Sequence, residues 1–238
     1  MKIQFPYPGG KAKIRDQLFP YFPEEGRYYL EPFVGRGNIF FEWFKCADYE
    51  AYTINDLKLA KFFRSLRDAD LNTLPLEVPS EMFDVWVNRW LAGDNIAYVL
   101  EPKISFRGKG YDAGYQTGRY NPSNYKPLCD AAQSILRDPR VMILQMDYTH
   151  LPWKDLQEDD FVYCDPPYLD TRGMGYNNIS HLELLKLLTN SKFRWAISGY
   201  LSDLYIQWLG QPDLQLTRNI EMTDSRGSTA VECLWSNV

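Results

Sequence analysis

Short apolar runs and helically spaced apolar positions take turns along this chain. Residues 28–30, 51–54, 141–146, 161–164 and 195–198 are apolar runs of strand length. Between them, apolar residues recur at three- and four-residue intervals. Leu59, Phe62, Phe63 and Leu66 form one such set, and Phe83, Trp86, Val87, Trp90 and Leu91 form another. Helices are predicted over 12–18, 39–44, much of 57–100, 123–136 and 181–188, the last with Ser180 as N-cap. Residues 72–80, with Pro75 and Pro79, read as a linker, and 214–222 with 229–235 as a closing strand pair. Strand alternating with helix predicts an α/β fold. The expected sheet has about seven strands, mostly parallel, with helices on both faces. Residues 1–56 and 141–238 would build it. Residues 57–140 would form an inserted subdomain of helices plus a β-hairpin.

Composition sharpens this picture in a few places. A chain of 238 residues, 45% hydrophobic, can bury one large core. A net charge of −5 excludes a protein whose whole surface binds nucleic acid. Residues 101–126 nevertheless carry five bases against two acids. Glycines, tyrosines and bases interleave there, as in a loop that grips phosphates and reads base edges. Lys103, Ser105, Arg107, Lys109, Arg119, Asn121 and Lys126 are the candidates, and a solvated charged loop is the plainer reading. Cys46, Cys129, Cys164 and Cys233 lie far apart, and His150 and His181 add no zinc spacing. Reduced thiols, no structural metal and a cytoplasmic location are expected. No stretch predicts a membrane span, and residues 1–6 are too short and polar for a signal peptide.

The chemistry gathers at strand ends. The run Phe161-Val162-Tyr163-Cys164 stops at Asp165-Pro166-Pro167-Tyr168, because proline offers no N–H to a ladder. A carboxylate, a proline carbonyl and an aromatic ring meet at that edge, where open α/β sheets bind ligands. Asp165 and the Pro166 carbonyl could accept both hydrogens of an exocyclic amine, and Tyr168 could stack on its ring. A surface turn is the plainer alternative. After the run at 28–30 comes Glu31-Pro32-Phe33-Val34-Gly35-Arg36-Gly37-Asn38, a glycine turn opening a helix. Asp56 follows Gly37 by 19 positions, the spacing of an acid that meets ribose hydroxyls. It could equally cap the next helix. Asp147-Tyr148 ends the run at 141–146.

Asp165-Pro166-Pro167-Tyr168 resembles motif IV of amino-methyltransferases that use S-adenosylmethionine. With Tyr7-Pro8-Gly9-Gly10-Lys11 and the 31–37 segment, the chain resembles Dam-type adenine-N6 DNA methyltransferases (D12 class, alpha order). The resemblance runs from residue 5 to about 237 and is weakest over 66–100. It implies a Rossmann-like class I methyltransferase fold and transfer of a methyl group to adenine N6 in duplex DNA by base flipping. Catalysis would fall to Asp165, Pro166, Pro167 and Tyr168. Cofactor contacts would come from Tyr7, Gly10, Lys11, Glu31, Pro32, Phe33, Gly35, Gly37, Asn38, Asp56, Asp147, Tyr148 and Asp165. DNA contacts would come from residues of 103–126 and from Arg226. Arg107 stands where the family more often has Asn. Four alternatives stay open: an adenine-N6 enzyme acting on ribosomal RNA, a cytosine-N4 enzyme, a protein-glutamine methyltransferase (which usually has Asn in place of Asp165), and a DNA-binding module with a decayed active site. The second more often has Ser in place of Asp165. Residues 172–178 are expected to form a loop over the site.

Overall fold

The computed structural model describes residues 1–7, 10–116, 118–169, 179–220 and 228–238. Its strands are β1 (Glu25–Glu31), β2 (Asp48–Asn55), β3 (Val141–Leu144), β4 (Phe161–Cys164), β5 (Arg194–Tyr200), β6 (Leu214–Ile220) and β7 (Ser228–Ser236). They form one seven-stranded sheet in the order β3-β2-β1-β4-β5-β7-β6. β1 to β5 are parallel, and β7 runs antiparallel to both β5 and β6. The chain steps outward from β1 to β3, then returns to the other side of β1 with β4. That reversal opens a crevice between the carboxyl ends of β1 and β4, where open α/β sheets bind ligands. The sheet is mostly parallel, as the strand and helix rhythm predicts, and the fold is Rossmann-like, as the family resemblance implies.

Both faces of the sheet are covered, which is why β4 is apolar along its whole length and β1 and β2 are buried along their second halves. Successive side chains point to opposite faces. Tyr29, Phe161, Tyr163, Ala196 and Leu234 join one core. Leu30, Val162, Cys164, Trp195, Ile197, Cys233 and Trp235 join the other. The helices are α1 (Arg15–Leu18), α2 (Phe40–Trp43), α3 (Ala60–Asp68), α4 (Phe83–Leu91), α5 (Asn95–Ile104), α6 (Pro122–Leu136), α7 (His181–Thr189) and α8 (Asp203–Leu209). Phe40 and Phe41 of α2, and Phe62, Phe63 and Leu66 of α3, pack into the first core. Leu184, Leu185 and Leu188 of α7, with Tyr205 of α8, fill the second. The insert between β2 and β3 shares the first core, through residues such as Val99, Leu100, Ala132 and Leu136.

The structure departs from the expected elements at several points. The expected hairpin in the insert is a succession of tight turns closed by one antiparallel bridge, Ser105 to Tyr115. Two factors oppose a longer ladder. α5 runs on to Ile104, so Lys103 belongs to a helix, and positive φ at Arg107, Gly108, Gly110 and Gly114 breaks the extended backbone. The strand expected to reach residue 146 stops at Leu144. Met146 turns instead to the Asn55 side chain, whose Oδ1 accepts from its N–H and whose Nδ2 donates to its carbonyl, each at 3.1 Å. The helix expected over 12–18 divides into a 3-10 turn, Lys11–Lys13, and α1. α8 was not foreseen. The expected loop at 172–178 lies outside the described residues.

All four cysteines are unpaired, with Cys46 exposed and the other three buried. Among the described residues no helix is long and apolar enough to cross a membrane. No group of three or more His, Cys, Asp or Glu among them could hold a metal ion.

Candidate active site at the sheet switch point

β1 ends on Glu31 and β4 ends just before Asp165, so parallel pairing of the two strands brings both acids to the crevice rim. Glu31 is buried and accepts a hydrogen bond from the Tyr29 hydroxyl at 3.0 Å. Burial pushes its carboxyl well above the usual range, despite that bond and the nearby Lys11 ammonium. Asp165 is one-fifth exposed. Burial raises it too, and the Lys11 charge opposes the rise.

Lys11 is the centre of the arrangement. Its Nζ donates to Asp165 Oδ1 at 2.5 Å and to Oδ2 at 2.7 Å. It also lies 3.2 Å from Glu232 Oε1 and 4.7 Å from the centroid of the Tyr168 ring. The lysine side chain is 3% exposed. Buried ammonium groups are paired, because an isolated charge in apolar surroundings is costly. Here the pairing spans the fold: the N-terminal turn, the end of β4 and β7 converge on one nitrogen.

The Asp165-Pro166-Pro167-Tyr168 segment is held from several sides. The Tyr168 hydroxyl donates to Glu232 Oε1 at 2.6 Å, and its ring meets that of Tyr200 at 4.3 Å in an edge-on contact. His181, at the start of α7, bridges the Pro167 carbonyl through Nε2 (3.0 Å) and the Tyr205 hydroxyl through Nδ1 (2.9 Å). Burial lowers the His181 pKa, so the neutral ring donates from Nε2 and accepts at Nδ1.

The glycine turn after β1 is shaped by positive φ at Gly35 (55°) and Gly37 (74°). A Cβ on Gly35 would press on the Tyr7 ring at 3.2 Å, and one on Gly37 would strike the Phe41 ring at 2.7 Å. Tyr7 therefore lies against the turn, while Lys11, four residues on, reaches Asp165. Gly10 N–H donates to the Tyr7 carbonyl at 3.2 Å. Pro8 and Gly9 lie outside the described residues. Asp56 is buried at the end of β2, where its Oδ1 accepts from the N–H groups of Lys58 (2.8 Å) and Leu59 (2.9 Å). The Gly35 N–H also bonds this carboxylate, whose pKa burial raises. One acid thus ties the start of the next helical turn to the glycine turn. Phe33 packs against Tyr148 with ring centroids 5.4 Å apart. Asp147 caps the turn that follows it, accepting from the Thr149 N–H at 2.9 Å and holding its carboxyl below the usual range.

Several expected contacts are engaged elsewhere. Asn38 spends its amide on the Phe5 backbone, accepting from its N–H at 3.2 Å and donating to its carbonyl at 3.3 Å. The Pro32 carbonyl accepts from Asn55 Nδ2 at 3.0 Å. Ser105 is fully buried, with its hydroxyl donating to the Glu101 carbonyl at 2.7 Å, so it presents nothing to a nucleic acid. Asn121 caps α6 by accepting from the Ser123 N–H, and Lys126 pairs with Asp130 one turn along that helix. Lys103 lies over the Tyr125 ring at 5.3 Å, and burial lowers its pKa. Arg107, Lys109 and Arg119 are exposed. Arg226 lies outside the described residues.

Comparison with known proteins bears on this geometry. Residues 7–65 match the D12 class N6 adenine-specific DNA methyltransferases. That match takes in the 7–11 and 31–37 segments, which with Asp165-Pro166-Pro167-Tyr168 carried the resemblance to this class, and the resemblance is borne out. The chain is 22% identical to the Type II methyltransferase M.FokI of Planomicrobium okeanokoites over 98% of its own length and 42% of that protein's. It is 26% identical to the Type II methyltransferase M1.LlaDCHI of Lactococcus lactis subsp. cremoris, over 68% of this chain and 63% of the relative. It thus spans less than two thirds of either relative. A solved precorrin-8W decarboxylase from Methanobacterium thermoautotrophicum overlaps 98% of this chain and 94% of its own, at 10% identity and a TM-score of 0.42. At that level of overlap the fold rests on the sheet order itself.

By sequence Glu232 enters only as part of the resemblance to the family's C-terminal motif, beside Arg226-Gly227 and Leu234-Trp235-Ser236-Asn237, with no site role attached, and Asn55 is given no role at all. Glu232 stands in the apolar run Val231-Glu232-Cys233-Leu234-Trp235, and a lone acid inside such a run was its available signal. Asn55 is 1% exposed and joins the ends of β1 and β3 through its amide. Nothing in local sequence separates it from an ordinary strand-end residue.

Proposed function

We propose that this chain transfers a methyl group from S-adenosylmethionine to N6 of adenine in duplex DNA. The observation that carries the reading is the convergence of Lys11 on Asp165, across 154 positions of sequence. It joins the segment beside the glycine turn to the strand-end tetrapeptide in one buried site.

The donor set suits a cationic ligand. Asp165 and Glu232 both pair with the Lys11 ammonium at the crevice rim and Glu31 lies close by, so the site holds more carboxyl groups than cations. S-adenosylmethionine, when bound, supplies the methyl group from a positively charged sulfur. Tyr7, Gly35, Gly37, Glu31 and Asp56 would hold it.

This chain's own residues then do the following. Asp165 accepts one hydrogen of the target amine, and the Pro166 carbonyl accepts the other. Both acceptors draw the nitrogen lone pair out of conjugation and stabilise positive charge growing there. Tyr168 stacks on the base, which must leave the duplex to reach the site. Lys11 releases an oxygen of Asp165 as the amine arrives.

The test is to incubate the protein with duplex DNA and methyl-labelled cofactor, then digest the product to nucleosides. Label on N6-methyldeoxyadenosine is expected, with Asp165→Ala lowering the rate by at least about 10²-fold. Label on N4-methyldeoxycytidine, or transfer confined to structured RNA, would overturn the reading.

A further inference from the structure

We propose that Glu232 is a positioning residue of the transfer site, fixing the Tyr168 ring and giving Lys11 a second anionic partner when the target amine occupies Asp165. The inference rests on the adenine-N6 reading above.

The geometry assigns both tasks to a single oxygen. Oε1 of Glu232 accepts from the Tyr168 hydroxyl at 2.6 Å and lies 3.2 Å from Lys11 Nζ. The glutamate is 2% exposed. β7 runs antiparallel beside β5 and sets Glu232 opposite Tyr200, the last residue of β5. An acid at the middle of β7 thereby reaches the rim built by the carboxyl ends of β1 and β4. Tyr200 meets the Tyr168 ring edge-on from the same register position.

Two requirements explain why such a residue is needed. A ring that stacks on an incoming base must already stand in place, and a hydroxyl bonded to a buried carboxylate cannot rotate freely. The second concerns Lys11. Its Nζ engages both oxygens of Asp165, the same acceptors the amine needs. An ammonium leaving one anion inside a buried site needs another nearby, because an uncompensated charge there is costly. Glu232 is already within ion-pair range.

The groups facing Asp165 set its protonation. They are Lys11 of the N-terminal turn, Glu31 of β1, Tyr163 and Cys164 of β4, Tyr168, Tyr205 of α8 and Glu232 of β7. Burial holds the phenols and the thiol protonated and lifts Glu31 well above the usual carboxylate range, so Lys11 and Glu232 are the charges that count. Glu232 pushes Asp165 up, and Lys11 pulls it down.

Glu232→Gln keeps an oxygen for Tyr168 and removes the charge. Both consequences lower the Asp165 pKa: the repulsion goes, and Lys11 is left to Asp165 alone. The expected result is a kcat about tenfold lower, a cofactor KM within about twofold of wild type, and an acid limb of kcat moved to lower pH. Tyr168→Phe removes the hydroxyl alone. It should also lower kcat but move the limb to higher pH, since the phenol also hydrogen-bonds Asp165. Both are read per active site, beside the melting temperature. A lower kcat with an unmoved acid limb in Glu232→Gln would reduce Glu232 to a packing role and overturn the inference, as would unchanged kinetics. Wild-type protein that leaves adenine unmethylated would instead remove the functional reading itself.

Discussion

The Arg36 guanidinium lies over the Phe62 ring at 4.4 Å, and its Nη2 stands 2.5 Å from Oε1 of Glu101. Arg36 is 1% exposed and sits between the two glycines of the turn after β1, whereas Glu101 belongs to α5 of the insert. Arg36 Nε and Nη1 lack hydrogen-bond partners among the described residues. A buried pair of this kind is sensitive to loss of one member and tolerant of loss of both. Arg36→Met should lower stability by about 3 kcal/mol, because Glu101 is left as an uncompensated buried charge. Arg36→Met combined with Glu101→Leu should recover most of that loss, since it removes the carboxylate that the single change strands. Urea denaturation of the three proteins decides. Equal losses in the single and double variants would show that the ion pair is not the source.

Lys11→Met has the opposite effect on Asp165 to that expected for Glu232→Gln. Without the ammonium, burial raises the Asp165 carboxyl against the Tyr168 hydroxyl alone. The acid limb of kcat should move to higher pH, and kcat should fall at least about tenfold. Stability follows the same sign. A carboxyl whose folded pKa lies above its unfolded value loses stability as pH rises through the folded value. The variant should therefore be less stable than wild type at pH 7, by about 3 kcal/mol. That deficit should close as pH falls toward about 3, where Asp165 is largely protonated in the folded and unfolded states alike. Melting curves at several pH values measure it, and a deficit that grew on acidification would contradict the assignment.

Much of this site was legible before any coordinates, and the reasons are local. Phe161–Cys164 forms the strand its apolar run predicts, because an acid and two prolines end it without ambiguity. Ser180 caps α7 as expected, accepting from the Glu183 N–H. The convergence of Lys11 with Asp165 was hidden, since only strand order decides which turns meet. The role of Glu232, which sequence marks only as part of a C-terminal motif, was hidden for a related reason: an antiparallel strand brings a mid-strand residue to the rim where parallel strands bring only their ends. The expected hairpin failed because interleaved glycine and tyrosine describe any tight loop, and positive φ at four positions from Arg107 to Gly114 rules out a ladder.

Asp56→Asn separates the two roles that sequence left open for this acid. The structure gives Asp56 the capping role, through the N–H groups of Lys58 and Leu59. Asparagine caps as well as aspartate, so stability should stay within about 0.5 kcal/mol of wild type. An amide accepts from a sugar hydroxyl less strongly than a carboxylate does. Cofactor affinity measured by calorimetry should fall about tenfold. Asp56→Ala should lose the cap as well, at about 1 kcal/mol. If the asparagine variant bound cofactor like wild type, Asp56 would be a cap and nothing more.

The basic loop of the insert offers a prediction in which strain and electrostatics can be read apart. Arg107 holds φ at 57°, and among the described residues it alone has positive φ without being glycine. Its N–H donates to Gln116 Oε1 at 2.7 Å, which helps hold the bend. A long side chain in that region is disfavoured, whereas asparagine tolerates it. Arg107→Asn should therefore raise stability by about 0.5–1 kcal/mol. The same change should weaken DNA binding if the exposed guanidinium meets phosphate. Each lost phosphate contact lowers the slope of log affinity against log salt by about 0.9. Lys109→Ala should lower the slope by the same amount without the gain in stability, because Lys109 sits at ordinary φ. Ser105→Ala should leave the slope alone, its hydroxyl being buried inside the insert. Titrating duplex DNA at several salt concentrations tests all three variants. A slope unchanged by both Arg107→Asn and Lys109→Ala would move the DNA-binding surface off this loop, however basic its sequence.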